Sequence, residues 1–295
     1  MQKSYLYALL AVLLWSTVAS AFKLSLQSLT VIELLLIAGM TSVIVLFLLI
    51  ILTGKLQLFH CLRAKDYFRA VLFGFLNPFL YYIVLFNAYD LLPAQQAQTI
   101  NYTWAIILSL LAVPILKQPL SKADIAGLVI AFTGVLIIST QGSLTSFDKT
   151  NVTGIYYALS STIIWALYWV FNTKQTNDPI VSLFLNFIFG FIFSFIYYVV
   201  VYYAMASPEV IPTHINRSGI IEAVYVGLFE MSLTFYLWLL ALKSSQNTAK
   251  ISSLIFLSPF LSLVFIHYFV GEEIHIATFI GLIVIILGVL IQRIK

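Results

Sequence analysis

Long apolar runs recur along the whole chain, separated by short polar breaks. Ten runs can be recognised, near 4–25, 31–52, 67–89, 93–115, 123–140, 152–172, 179–203, 218–241, 246–269 and 274–292. Each has roughly 18–25 residues, the length that a helix needs to cross about 30 Å of hydrocarbon. Because lipid offers the backbone no hydrogen-bond partners, such runs must satisfy their own backbone groups as helices. The pattern predicts an all-α integral membrane protein with ten transmembrane helices.

The polar connections are too short to form a separate domain outside the membrane. The chain is 62% hydrophobic and 9% charged, against about 45–50% and 25% in soluble domains. Its net charge of +4 follows from basic residues on one face of the predicted membrane, and no Lys/Arg tract that would bind nucleic acid is present. The single cysteine, Cys61, excludes an internal disulfide and a cysteine-based metal site. We therefore expect the functional groups to lie within or between the spans.

The first apolar run also has features of a secretory signal peptide. Lys3 precedes it, and Ala19-Ser20-Ala21 imitates a small-residue cleavage site. However, YALLAVLLW (7–15) has a counterpart in YALSSTIIW (157–165), so Trp15 and Trp165 occupy equal places in two repeat units. We therefore expect the first run to stay in the protein as its first span.

Basic residues collect on one side of the predicted membrane. If both termini are cytoplasmic, only Lys23, Lys149 and Arg217 fall outside, and twelve basic residues fall inside: Lys3, Lys55, Arg63, Lys65, Arg69, Lys117, Lys122, Lys174, Lys243, Lys250, Arg293 and Lys295. Cytoplasmic loops of membrane proteins carry such an excess of Lys and Arg. The distribution predicts cytoplasmic termini.

The second half of the chain repeats the first. Gly74 aligns with Gly227 at an offset of 153, and GLVIAFTGVLI (127–137) matches GLIVIILGVLI (281–291) at 154. The repeats are predicted as 1–140 and 152–295, joined by an external linker at 141–151. Since five spans is an odd number, the two copies must have opposite orientations. Inverted repeats of this kind are typical of secondary transporters, with the substrate site near the midplane.

A carboxylate stands near the middle of the eighth apolar run. Glu230 would cost roughly 2.5–3.5 kcal/mol at the bilayer centre, so such a group normally faces a bundle interior or a wet cavity. Thr234 and Trp238 follow Glu230 by four and eight residues, so in a regular helix all three side chains would lie on one face. Glu230 either binds a substrate amine or carries a proton, and competition between the two would give antiport. A purely structural carboxylate is the alternative.

Other polar and aromatic residues are expected to complete a central cavity. Asn77 and Tyr81 stand where Glu230 and Thr234 stand in the other repeat. Further candidates on spans 1, 4 and 6 are Trp15, Ser16, Asn101, Tyr102, Trp104, Trp165, Tyr168 and Trp169. Such a cavity suits an amphipathic small molecule. The alternatives are interfacial or lipid-facing aromatics and polar groups that only join helices.

Several kinds of function lack the residues that they need. No Lys or Arg lies deep in a span, so a phosphorylated substrate would lack a counter-charge. His267 lies near a span end and the other histidines lie in loops, so neither a metal cluster nor a hydrolytic site can be assembled. No P-loop motif is present. We expect no enzyme activity, metal or cofactor, and transport driven by gradients.

Two prolines fall near the centres of predicted spans. Pro78 lies in span 3 and Pro259 in span 9. A proline frees backbone carbonyls and permits a bend. Both are hinge candidates, although kinked helices also occur in static bundles.

Several motifs carry a resemblance to a known family. They are LLWS (13–16), IIWALY (163–168) and above all LSPFLSLVFIHYFVGEEIHIATFIGLIVIILGVLIQ (257–292). With them the chain resembles the EamA-type members of the drug/metabolite transporter superfamily. INYTWAIILSLLAVPIL (100–116) is similar to the bacterial aromatic amino acid exporters of that group. The resemblance implies a carrier in the bacterial inner membrane that exports amino acids or similar metabolites.

Together these features predict a secondary, proton-coupled exporter that works by alternating access around a central cavity. Its substrates would be small neutral, zwitterionic or cationic metabolites, with amino acids favoured. The expected partners are the substrate, the lipid bilayer and protons, in a monomer or a homodimer. The alternatives are an uptake carrier or exchanger for another metabolite or drug, a non-transporting membrane subunit, and a membrane enzyme.

Overall fold

The computed structural model describes residues 3–104, 107, 110–111, 114–115, 122–140, 149–172, 177–205, 216–244 and 254–291, and their regular secondary structure is entirely helical. The helices are α1 Lys3–Ser25, α2 Val31–Leu52, α3 Ala64–Leu91, α4 Ala94–Asn101, α5 Lys122–Ser139, α6 Lys149–Asn172, α7 Pro179–Met205, α8 Arg217–Phe229, α9 Leu233–Lys243, α10 Ser258–Phe265 and α11 Ile276–Ile291. Short 3₁₀ turns cover Leu56–Cys61 and Leu254–Leu257, and a π turn follows α10 at Ile266–Val270.

Six helical stretches in the described residues are long and apolar enough to cross a membrane. They are Lys3–Ser25, Val31–Leu52, Ala64–Leu91, Val152–Asn172, Pro179–Val201 and Arg217–Trp238. Shorter apolar helices cover Ile125–Ile138, Ser258–Val270 and Ile276–Ile291. The prediction of a helical chain with membrane-spanning segments is confirmed at this level. The full number of ten spans stays a prediction.

Helix α3 is interrupted at its proline. Its two halves, Ala64–Gly74 and Tyr81–Leu91, are joined by a π turn, in which Asn77 is extended at φ −150 and ψ 118. Pro78 explains the break, because a proline has no N–H and its ring clashes with the carbonyl four residues earlier. The residue before a proline also avoids the helical conformation. The expected interruption near the centre of span 3 is therefore present.

The predicted span 218–241 is also broken, and a regular helix through Glu230 was the wrong expectation. Helix α8 ends at Phe229 and α9 begins at Leu233. Around the break, two hydrogen bonds reach back five residues. The Met231 N–H donates to the Val226 carbonyl at 3.2 Å. The Ser232 hydroxyl donates to the Gly227 carbonyl at 2.6 Å. Residue spacing across the break is therefore one residue longer than in an α-helix.

The described chain divides into two compact units, each with parts of both sequence halves. The first unit contains Met1–Ile83 and Thr176–Ser262, and the second contains Val84–Gln175 and Leu263–Lys295.

In the first unit, two helix pairs approach to backbone contact at glycines. A Cβ at Gly74 of α3 would lie 2.5 Å from the carbonyl oxygen of Asn186 on α7. A Cβ at Gly227 of α8 would lie 2.5 Å from the carbonyl oxygen of Ala38 on α2. Small residues allow membrane helices to pack this closely. The two glycines that align in the sequence repeat thus each pack closely against a helix of the other half of the sequence.

In the second unit, α5 and α11 pack along their glycine faces. A Cβ at Gly134 would lie 2.7 Å from the carbonyl oxygen of Gly281, and a Cβ at Gly288 would lie 2.5 Å from that of Gly127. Since the contact moves backward along α5 as it moves forward along α11, the two helices are antiparallel. At the repeat offset of 154, Gly134 corresponds to Gly288 and Gly127 corresponds to Gly281. The two contacts are therefore exchanged by the repeat, as a two-fold relation between α5 and α11 requires.

One ion pair in the first unit joins the end of α2 to the start of α7. The Lys55 ammonium lies 2.8 Å from the Asp178 carboxylate. Burial raises the pKa of Asp178, but the hydrogen bonds from Lys55 and from the Ile180 N–H outweigh burial and hold it below its ordinary value.

Candidate functional site

Glu230 lies at the break between α8 and α9 and is buried, with 6% of its surface exposed. The Tyr82 hydroxyl donates a hydrogen bond to its Oε1 at 3.0 Å. The Trp15 side chain also interacts with the carboxyl group, although Oε2 accepts no hydrogen bond of normal geometry from a described residue. Buried polar oxygens are nearly always hydrogen-bonded. One carboxyl oxygen of Glu230 is therefore buried without a hydrogen-bond partner among the described residues.

Trp15, which interacts with this carboxyl group, belongs to an aromatic cluster of the first unit. The Trp15 ring lies 5.8 Å from that of Phe235, edge to face, and 5.5 Å from that of Trp238. Trp238 and Phe235 are buried on α9. The structure thus brings two predicted site residues, Trp15 and Trp238, into contact, and Trp15 also interacts with Glu230. An aromatic surface beside a carboxylate suits an organic cation or an amphipathic amine.

The contact between Tyr82 and Glu230 was missed by sequence reasoning, which selected Tyr81 instead. Tyr81 is buried and its ring packs against that of Tyr82, with centroids 4.8 Å apart. Tyr81 lies four residues after Asn77, the spacing of a regular helix. The π turn adds a residue, so Tyr82, five residues after Asn77, donates to the carboxylate. Pro78 was the signal that α-helical spacing would fail here.

Asn77 is fully buried in the π turn of α3, with neither its amide nitrogen nor its amide oxygen hydrogen-bonded to a described residue. Leaving a buried amide unpaired costs about 1–3 kcal/mol per group. At the repeat offset it corresponds to Glu230, and both residues stand at a helix break. Two aligned breaks each present a polar side chain with unused hydrogen-bonding capacity.

Hydroxyl groups satisfy the backbone around Glu230. The Thr234 hydroxyl donates to the Phe229 carbonyl, so Thr234 supports the break and does not continue a regular stripe from Glu230. The Ser42 hydroxyl on α2 donates to the Met231 carbonyl at 3.0 Å. Broken membrane helices are tolerated when serine and threonine side chains take up the freed backbone groups in this way.

The remaining predicted residues belong to the second unit. The Asn101 amide, at the end of α4, donates to the Ser161 hydroxyl on α6 at 2.8 Å. Tyr102 ends α4, and Trp104 follows it half-buried. On α6, the Trp165 and Tyr168 rings lie 6.2 Å apart and both are buried. Asn101 thus joins two helices, and the indole and phenol form an aromatic pair.

The second hinge candidate lies at a helix start. Pro259 stands in the first turn of α10, directly after the 3₁₀ turn Leu254–Leu257. A proline fits there because the first turn has free N–H positions. Residues 245–253 lie outside the described residues, so a longer interrupted helix stays a prediction. Among the residues that the structure describes, no group of three or more His, Cys, Asp or Glu side chains is placed to hold a metal ion.

Comparison with protein families gives a match over nearly the whole chain. Residues 2–140 and, separately, 152–293 each match the EamA-like transporter family. A solved crystal structure superposes with a TM-score of 0.68, covering 99% of this chain and 98% of that one at 20% identity. At this identity the likeness shows the fold alone.

The similar curated proteins carry transporter names. An uncharacterized transporter of Clostridium kluyveri is 24% identical over 99% of this chain and 93% of its own length. The uncharacterized transporter YyaM of Bacillus subtilis is 25% identical over 85% of this chain and 80% of its own. The aromatic amino acid exporter YddG of Ancylobacter novellus is 22% identical over 62% of this chain and 61% of its own. These names point to transport and away from enzyme activity.

Proposed function

Since this chain belongs to the EamA-like transporter family, and is therefore a multi-pass membrane transporter, we propose that it is a secondary, proton-coupled carrier of small neutral, zwitterionic or cationic metabolites. Amino acids are the favoured substrates and export is the favoured direction. Transport proceeds by alternating access, in which one set of helices rocks or bends against another.

The observation that carries this proposal is the open side of the Glu230 carboxyl group. Oε1 is held by Tyr82 at 3.0 Å, and Oε2 is buried without a hydrogen bond from a described residue. A group placed like this binds either a proton or a substrate ammonium at Oε2. Because both compete for one oxygen, proton uptake on one side of the membrane releases the substrate there, which is the logic of antiport.

The charge of the described segments supports the choice of substrate class. Their basic residues lie at or near helix ends, as with Lys23, Lys122 and Lys149. A phosphate ester would have no cation to neutralise it within such segments. Trp15 and Trp238 offer an aromatic surface for an uncharged body. The aromatic amino acid exporter among the relatives agrees with this class.

We also propose that the transporter has ten spans in two inverted five-helix repeats, 1–140 and 152–295, with an external linker at 141–151. The antiparallel contact of α5 with α11 and its two-fold exchange of glycines support this arrangement. So do the aligned breaks at Asn77 and Glu230, because discontinuous helices form the substrate sites of many such transporters. Both termini are cytoplasmic and the membrane is the bacterial inner membrane. The protein works as a monomer or a homodimer.

Counterflow in proteoliposomes tests the carrier and the carboxylate together. Proteoliposomes that contain the purified protein would be loaded with an unlabelled amino acid, amine or sugar phosphate. Uptake of the same compound in labelled form would then be measured at two pH values. We expect saturable exchange of an amino acid or amine, lost in Glu230→Gln. Glu222→Gln is the matched control, because it makes the same change two turns earlier on α8 and should keep exchange.

Two results would contradict the proposal. Exchange of sugar phosphates alone would overturn the charge argument and favour a metabolite exchanger of another class. Full exchange by Glu230→Gln at both pH values would remove the carboxylate from the mechanism while leaving transport established.

A further inference from the structure

One face of the first three turns of α3 carries both cations and large apolar side chains. Lys65, Phe68, Arg69 and Leu72 follow one another at spacings of three, one and three residues, which places them on the same side of an α-helix. All four residues are exposed, Phe68 to 65% and Leu72 to 52%. The exposed face is therefore basic near the start of the helix and apolar beyond it.

The apolar side chains continue toward the middle of the span. Phe75 follows Leu72 by three residues, is 42% exposed and still has helical dihedral angles, φ −64 and ψ −45. Its ring packs against that of Phe193 on α7, with the centroids 5.4 Å apart. Phe68, Leu72 and Phe75 form the apolar strip. From Lys65 to Phe75 the helix rises about 15 Å, roughly half of the hydrocarbon thickness, so the face is as long as one leaflet is thick.

The cations at this end of α3 are not neutralised by the acidic residue between them. Asp66 is buried, and its carboxylate accepts the Arg63 N–H at 2.9 Å. It interacts with Lys65 and Arg69 only at longer range, and no carboxylate of the described residues lies within ion-pair distance of Arg63, Lys65 or Arg69. These three exposed residues, Arg63, Lys65 and Arg69, form the basic cluster. The basic cluster therefore offers positive charge to an anionic ligand.

We propose that this part of α3 is a binding site for an anionic phospholipid, whose phosphate group contacts the basic cluster and whose acyl chain lies along the apolar strip. Guanidinium and ammonium groups bind phosphate through charge-assisted hydrogen bonds. The predicted orientation places this end of α3 at the cytoplasmic leaflet, whose negative surface attracts basic segments next to a span. The site lies outside the proposed transport mechanism and does not depend on it.

A lipid of the bilayer, rather than a soluble phosphate compound, fits both parts of this face. The basic cluster alone would suit any phosphate group, but a soluble compound would leave the apolar strip unused. The strip belongs to Ala64–Leu91, a helix long and apolar enough to cross a membrane, so lipid chains are its natural neighbours. Charge and apolar surface are arranged along α3 in the order of a lipid headgroup and its chain.

The test compares two lipids that share their acyl chains and differ in net charge. Binding of dioleoylphosphatidylglycerol and of dioleoylphosphatidylcholine to purified full-length protein in detergent would be measured by native mass spectrometry. The double variant Lys65→Gln, Arg69→Gln should bind phosphatidylglycerol roughly tenfold more weakly than wild type, because two cations near the phosphate are lost. Its binding of phosphatidylcholine, which has no net charge, should change by less than about twofold.

Two further double variants separate the site from net charge and from folding. Lys3→Gln with Arg217→Gln removes the same charge from the exposed starts of α1 and α8 and should keep phosphatidylglycerol binding. Lys65→Arg with Arg69→Lys keeps both charges and should also keep it. If Lys65→Gln with Arg69→Gln does not fold, each single variant is measured instead and should show part of the loss.

A pair of apolar variants tests the acyl-chain part of the site. Phe68→Ala shortens the apolar strip and should weaken the binding of both lipids, because both carry the same chains. Ile221→Ala is the control, since Ile221 is an exposed apolar residue on α8 outside the strip, and it should leave both affinities as in wild type. Equal effects of Phe68→Ala and Ile221→Ala would overturn the placement of the chain.

Three other results would overturn the inference. The first is wild-type affinity for phosphatidylglycerol after loss of Lys65 and Arg69. The second is an equal loss when Lys3 and Arg217 are changed, which would show an effect of net charge alone. The third is full displacement of the lipid by excess inorganic phosphate, which would make the occupant a soluble anion. None of these results affects the counterflow experiment, so the lipid site and the carrier are tested separately.

Discussion

Tyr82 places a neutral hydroxyl against a carboxyl group inside a membrane span. Its hydrogen bond to Glu230 joins α3 to the break between α8 and α9. A donor at Oε1 fixes the direction of the carboxyl group and leaves Oε2 for the exchange of proton and substrate that we propose. At the scale of single residues, Tyr82 is thus a positioning residue for Glu230.

Tyr82→Phe should therefore impair transport without removing the carboxylate. The change leaves Oε1 unpaired, and a hydrogen bond to an ionised partner is worth about 1.5–3 kcal/mol. We expect amino acid counterflow to fall by roughly tenfold or more, and its pH profile to move. Tyr225→Phe removes a hydroxyl whose hydrogen-bond partner is Thr17, at 2.6 Å, rather than Glu230, and should keep the wild-type profile. Identical profiles for all three proteins would contradict the role of Tyr82.

At the scale of helices, close backbone contact fixes where α3 and α8 sit. Gly74→Ala and Gly227→Ala would each bring a methyl group within about 2.5 Å of a backbone oxygen. Overpacking of this kind costs about 1–3 kcal/mol. We expect both variants to unfold at lower temperature in a thermal melt. Gly39→Ala is the control, because its Cβ would lie 3.6 Å from the Phe191 ring, which is an ordinary contact. If Gly74→Ala and Gly227→Ala melt at the same temperature as Gly39→Ala, the close backbone packing is contradicted.

The ion pair between α2 and α7 predicts a pH dependence of stability. Hydrogen bonds hold the pKa of Asp178 below its ordinary value, so its contribution is present above that ordinary value and is lost as pH falls through the lowered one. Because the pair is partly exposed, we expect no more than about 1 kcal/mol. Asp178→Asn should lower the melting temperature at pH 7 and lose this effect near pH 3. A difference from wild type that grows toward acid pH would contradict the assignment.

Across the whole molecule, features of local sequence were predictable and contacts between distant segments were not. Apolar runs placed the helices, Pro78 placed one break, and the depth of Glu230 made it a candidate. The extra residue at Glu230–Ser232 could not be predicted, because serines from α8–α9 and from α2 stabilise it. A separate extra residue, at the π turn Phe75–Leu80 of α3, replaced Tyr81 by Tyr82.

The orientation of the whole chain is the remaining prediction, and its single cysteine tests it. Cys61 is exposed on the 3₁₀ turn after α2, where the positive-inside rule places the cytoplasm. A membrane-impermeant maleimide should leave Cys61 unlabelled in intact cells and label it after permeabilisation. Thr145→Cys in a Cys61→Ser background lies in the predicted external linker and should be labelled without permeabilisation. Labelling of Cys61 in intact cells would show that the orientation is the opposite of the predicted one. Equal accessibility of Cys61 and of the cysteine in Thr145→Cys would contradict five spans per repeat.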